Sequence, residues 1–202
     1  MRKYLSVIAS EAKQSTSCLL LLFLLCFSHT SHAANQADLE KLLMINKQSK
    51  PLDLSNADLR HLQFDSKINL QKANLSHSNL SGMDLSKINL EEANLSYANL
   101  SHTKLNQVNL THANLRHANL YNSEIQKSDL SNADLSYADL AEANLQSSIF
   151  SKTILKCTRL NGADLRNSHF TEADLSGASL INTITDNSID YDTVIDSNIV
   201  CE

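Results

Sequence analysis

The 202-residue chain has no tryptophan, one proline, three glycines and only 5% aromatic residues. So few large rings leave little material for a conventional mixed core, and so little Gly and Pro excludes a loop-rich or collagen-like chain. Bases are in the minority, 17 Lys+Arg against 22 Asp+Glu for a net charge of −5, which removes the electrostatic footprint of nucleic-acid binding. Signatures of catalysis are missing too: there is no nucleophile elbow, phosphate loop, HExxH or CxxC. The reading is therefore not an enzyme, with no cofactor and no nucleic-acid partner.

Long apolar runs are scarce; the one present is informative. Arg2 and Lys3 open a polar stretch, Cys18 to Phe27 form a ten-residue apolar run, and Ser31 and Ala33 supply small residues at −3 and −1 of a cleavage site. That order predicts a signal peptide over residues 1–33, cleaved after Ala33. A transmembrane anchor is the alternative, but ten residues make only about 15 Å of helix, half the hydrocarbon thickness. No stable membrane anchor is expected after cleavage, and the mature chain keeps 14 bases and 21 acids, a net charge of −7. The expected location is exported, periplasmic or extracellular.

What the chain has in abundance is a repeat of five. Every fifth residue from Leu70 to Leu180 is Leu, Ile or Phe, which makes 23 consecutive repeats. Leu54, Leu59 and Phe64 extend the series backwards across a one-residue insertion. On an α-helix five residues advance roughly 500°, so successive Leu would face every direction. On a flat strand an odd step sends them to opposite faces. One shared interior is possible only if the backbone turns a corner in each repeat and stacks coil on coil, about 4.8 Å apart.

Units such as ANLSH, ANLSY, ADLSN, ADLSY and ANLRH fit A(D/N)Lxx, so over about residues 52–182 the chain resembles the pentapeptide-repeat family. The resemblance implies an all-β fold, a right-handed four-sided parallel β-helix with one repeat per side and four repeats to the coil. The central residue (i) and the residue two before it (i−2) would face inward. About six and a half coils would make a rod roughly 30 Å long.

Reading every fourth repeat tests that register. One central column is Leu70, Leu90, Leu110, Leu130, Phe150 and Phe170, and its i−2 partners are Ile68, Ile88, Val108, Ser128, Ser148 and Ser168. Beside both phenylalanines the partner is the small Ser, as a close-packed interior requires. The i−1 residues give Asn columns (Asn74, Asn94, Asn114; Asn79, Asn99, Asn119; Asn69, Asn89, Asn109), which predict amide ladders along the rod. Five of these Asn open Asn-x-Ser/Thr sequons whose glycans would disrupt stacking, so bacterial export fits best.

The ends need covers, since an open coil edge invites pairing with another chain and an end-to-end dimer. Residues 34–50 read as a capping α-helix, with Asn35 as N-cap and Leu39, Leu42 and Leu43 as an apolar stripe. After Leu180 the spacing predicts a one-residue slip, with Ile184, Ile189, Val194 and Ile199 as the new centres and Asn182 at an inward place. Residues 183–202 then form a degenerate last coil or cap. Continued coiling would leave Cys157 and Cys201 roughly 10 Å apart, beyond the reach of a disulfide at about 7 Å, so no bridge is expected.

Two features remain as candidates for function. The histidines offer no metal site: His77 and His117 share a column, but two coils part them, far more than two Zn–N bonds of about 2 Å allow. The outward column His77, Tyr97, His117, Tyr137, Cys157, one per coil, makes a candidate interaction stripe for an unidentified protein partner. The family resemblance implies a second reading, DNA mimicry that protects gyrase in the cytosol. Residues 52–180 carry 11 bases and 14 acids, too near balance to imitate phosphate rows. A secreted effector that binds a host protein is a variant of the interaction reading.

Overall fold

A computed structural model describes residues 51–64, 68–186 and Cys201. Both the leader (1–33) and the expected capping helix (34–50) lie outside the described residues. Within them the chain is a four-sided coil held by isolated parallel bridges. The first wall runs Asp53, Asn74, Asn94, Asn114, Asp134, Ile154, Asp174; the second runs Asp58, Asn79, Asn99, Asn119, Asp139, Arg159, Ser179. The third runs Asp84, Lys104, Glu124, Asn144, Asp164, Ile184, and the fourth Asn69, Asn89, Asn109, Asp129, Ile149, His169. Each step spans four repeats, except that Asp53 and Asp58 reach one residue further along the chain to pair with Asn74 and Asn79. The one-residue insertion between Phe64 and Leu70 accounts for the extra residue in these two steps.

Hydrogen bonding explains why the unit is five residues long and why Asn or Asp precedes the Leu. In the repeat centred on Leu75, the Leu75 N–H donates to Asn94 C=O (2.7 Å) and the His77 N–H to Ser96 C=O (2.9 Å), both one coil up. Asn74 N–H donates down to Leu52 C=O, and Ser78 N–H closes the corner on Leu75 C=O. That leaves the Ser76 N–H, which donates to Asn74 Oδ1 at 3.2 Å. The same side-chain cap recurs with Asp at Asp84, Asp129 and Asp134. Every backbone donor of the unit is then satisfied, as burial of a backbone requires. The predicted amide ladder forms on the first wall, where Asn94 Nδ2 donates to Asn74 Oδ1 and Asn114 Nδ2 to Asn94 Oδ1.

The corner itself uses the left-handed region. Among the described residues twenty-one non-glycine residues, all at i+2, have φ between 52° and 65°, and the three glycines sit at equivalent corners. Such a φ costs about 1–2 kcal/mol for an L-residue. At the corners from Asn56 to Gly162 the i+2 N–H makes a bond to the next coil, and this with the burial of the next centre, worth about 1.5–3 kcal/mol per Leu, offsets it.

Inside, Leu70, Leu90, Leu110, Leu130, Phe150 and Phe170 form one buried column. The Phe150 and Phe170 rings stack with centroids 4.7 Å apart and planes 2° from parallel. The shrunken partners do more than conserve volume. Ser128 Oγ accepts the Val108 N–H at 3.2 Å and donates to Leu105 C=O at 2.7 Å, so its hydroxyl is inserted into the turn of the coil below. Ser168 Oγ likewise donates to Leu145 C=O. A buried serine beside the phenylalanines is therefore satisfied rather than stranded.

Two expectations about the C-terminal end are overturned. Ile184 bridges Asp164, and the Leu165 N–H donates to Ile184 C=O at 2.8 Å, so Ile184 is an outward wall residue and the register has not slipped. Asn182 is a corner residue with φ 59°, not an inward one. The inward place falls to Thr183, whose Oγ1 donates to Leu160 C=O at 3.0 Å; a threonine that finds this carbonyl can replace alanine, which keeps the coil in step. Ile189, Val194 and Ile199 lie outside the described residues.

The second correction concerns the cysteines: Cys157 and Cys201 form a disulfide, with Cα atoms 5.6 Å apart. The expected gap assumes that Cys201 follows the repeat register. Instead its Sγ lies 3.5 Å from the Gly177 carbonyl oxygen. Gly177, one coil after Cys157 and directly over it, has no side chain to fill that place.

Candidate functional site

The stripe begins as a backbone property. Positions 77, 97, 117 and 137 are i+2 corners with φ of 58°, 59°, 57° and 62°, and the four-repeat register sets each over the last. His77, Tyr97, His117 and Tyr137 are brought together as one ladder. Ring centroids are 4.8, 4.6 and 4.9 Å apart in order, and successive planes deviate by 1°, 9° and 9°. The ladder stands at the surface: Tyr97 is 53% exposed and Tyr137 40%.

Because each ring stacks on the next, ring faces are consumed inside the ladder and ring edges are left to solvent. Aromatic edges are electropositive, and here they carry the two tyrosine hydroxyls and the imidazole nitrogens. At the last rung the Arg116 guanidinium lies 5.7 Å from the Tyr137 ring centroid, within cation–π range, and the Cys157–Cys201 disulfide occupies the corner one coil further on. Arg116 is also tied to Asp134 at 3.1 Å. Sequence reasoning missed Arg116 and the disulfide. The available signal was Gly177, which extends the same column one step beyond Cys157.

A smaller ring pair lies on the adjacent corner, where His102 meets Tyr121 edge-on at 5.6 Å and its Nδ1 lies 2.9 Å from Asn122 Nδ2. The acidic residues Glu124, Asp129, Asp134 and Asp139 occupy four different walls. The Asp134 carboxyl is partly buried, which opposes ionisation, but the Ser136 hydroxyl and N–H and the Arg116 guanidinium outweigh that and hold it below the usual carboxylate range. For Asp164 the Arg166 guanidinium is the main cause of a lowered pKa, and for Asp84 it is the Ser86 hydroxyl. These carboxylates cap the backbone and pair with bases; among the described residues no cluster of three His, Cys, Asp or Glu could hold a metal ion. Nor is any helix among them long and apolar enough to cross a membrane.

The family model described as pentapeptide repeats matches residues 68–107, 93–132, 128–167 and 155–184. Among solved structures the chain is similar to HetL, a pentapeptide repeat protein involved in heterocyst differentiation regulation from the cyanobacterium Nostoc. Identity is 27%, covering 72% of this chain and 81% of that one, with a TM-score of 0.41. A pentapeptide repeat protein of the Arabidopsis thaliana thylakoid lumen is 20% identical over 67% of this chain and 78% of its own, with a TM-score of 0.40. QnrB1, a plasmid-mediated fluoroquinolone resistance protein, is 15% identical over 64% and 80%, with a TM-score of 0.36. None of the curated proteins matches the sequence.

Proposed function

The chain belongs to the pentapeptide-repeat family, and from that premise we propose that it is a non-catalytic, exported scaffold that meets a protein partner through the ladder His77, Tyr97, His117, Tyr137. The observation that carries this reading is the exposure of four stacked rings on one corner of a rigid coil. Exposed aromatics are the residues that interfaces favour. Export is supported by the leader pattern of residues 1–33 together with the Cys157–Cys201 disulfide, a bond that persists in oxidising compartments.

The gyrase-protecting reading is disfavoured by charge. A phosphate mimic needs unbroken acidic rows, whereas the third wall runs Asp84, Lys104, Glu124, Asn144, Asp164 and the other walls begin largely with Asn. Fractionation of the tagged protein decides between the readings. The expected product is an oxidised chain beginning at Ala34 in the periplasm or medium; a full-length, reduced chain in the cytosol that protects gyrase in a supercoiling assay would replace this proposal. Replacing Tyr97 and Tyr137 with Ser is expected to abolish capture of the partner by the mature chain.

A further inference from the structure

Apart from any protein partner, we propose that the same ladder is a binding site for an elongated, planar aromatic molecule lying parallel to the rod. The ring faces are spent on one another, so a base or a sugar ring has no open face to stack on within the ladder. What is offered outward is a row of electropositive edges at the inter-strand spacing of a β-sheet. An edge seeks the π face of another aromatic, in the T-shaped arrangement that aromatic pairs favour. A flat molecule whose long axis follows the rod lays a single face across several edges at once, without a pocket. Stacked side-chain rows of this spacing arise in cross-β assemblies; here one chain makes such a row by winding. Flanking Ser76 and Ser96 are small and leave the lower rungs open, while Arg116 over Tyr137 and the disulfide beyond mark the upper limit of the footprint. The mature chain's net charge of −7 adds long-range attraction for a cationic occupant.

Thioflavin T, a rod-shaped cationic dye that brightens when its two ring systems are held coplanar, is the probe. Titration into the mature, oxidised chain is expected to give saturable brightening near one dye per chain. In Y97N/Y137N the affinity should fall by about tenfold or more, and in Y121N, which alters a tyrosine outside the ladder, it should not change. Asparagine suits the test because it already occupies positive-φ corners at Asn122, Asn132 and Asn167. No brightening, equal loss in Y121N, or full retention in Y97N/Y137N would overturn the proposal. If the double variant fails to fold, dye-induced NMR shifts in the wild type decide: shifts confined to the His77, Tyr97, His117 and Tyr137 rings sustain the site, and shifts centred on Tyr121 remove it. The experiment needs no protein partner, so its failure would leave the scaffold reading standing.

Discussion

Phe150 and Phe170 inside the coil, and the His77–Tyr137 ladder outside it, are both stacks of rings at nearly the same interval, 4.7 Å against 4.6 to 4.9 Å. The backbone sets that interval for both, because every residue lies one coil above its counterpart four repeats earlier. The consequences differ. The inner pair is fully buried, and its volume is compensated by Ser148 and Ser168. The outer rings sit at corners where the backbone asks only for tolerance of positive φ, and Lys, Glu, Asn and Ser meet that demand at other corners. Stacking in itself is therefore a product of winding. What distinguishes the outer ladder is four rings kept where nothing in the packing calls for them.

The comparison is broken most directly from the inside. Phe150→Ala leaves a cavity that neighbouring coils cannot close, and a loss of about 3–5 kcal/mol is expected in urea unfolding; a far smaller loss would mean that the inner stack is no better packed than the outer. Next in size is the covalent end of the outer column. Cys157→Ser, or reduction of the wild type, opens a cross-link of sequence separation 44 and should cost about 2–4 kcal/mol, read as a lower urea midpoint, whereas an unchanged midpoint would show the bond idle.

Acid provides the third probe, acting on the wall carboxylates. The carboxyls of Asp58, Asp84, Asp134, Asp164 and Asp174 all have lowered pKa values. Their contribution is whole above the unfolded-state value of about 3.9 and is lost as pH falls from there through the lowered folded values. A thermal midpoint that is flat above about pH 5 and drops below about pH 4 is expected, and a decline beginning near neutrality would point to other groups. The smallest effect belongs to the ladder: Tyr97→Asn breaks its stacking on His77 and His117 and should cost about 1–3 kcal/mol, at about 0.5–1.5 kcal/mol for each aromatic pair, measured by the same unfolding curve. A loss as large as that of Phe150→Ala would erase the distinction between the two stacks.

Much of this is legible in the sequence because the period of five and the four-repeat register are physical constraints on every residue at once. The Phe/Ser compensation and the insertion between Phe64 and Leu70 can be read from spacing, and so can the stacking of His77 on Tyr97. The register of Ile184 cannot, because an inward Thr183 looks like a broken pattern until its hydroxyl is seen to reach Leu160 C=O. Nor can the disulfide, since Cys201 departs from the repeat and spacing arithmetic applies only to residues that obey it. Ser148 and Ser168 beside the phenylalanines look merely small in the sequence, yet their hydroxyls also bridge coils. Volume is visible in a residue's name, whereas a hydrogen-bond partner one coil away becomes visible only once the register is known.

Since the repeated unit draws its backbone partners from itself and from the neighbours above and below, the rod has no preferred number of turns. Excising or duplicating one whole turn, such as positions 91–110, would leave every remaining column aligned and only change the ladder by one rung. Growth by whole-turn duplication is thus open to this gene at little structural risk, while gain or loss of a single repeat in mid-rod would rotate everything above it by a quarter turn and scatter the rings over different corners.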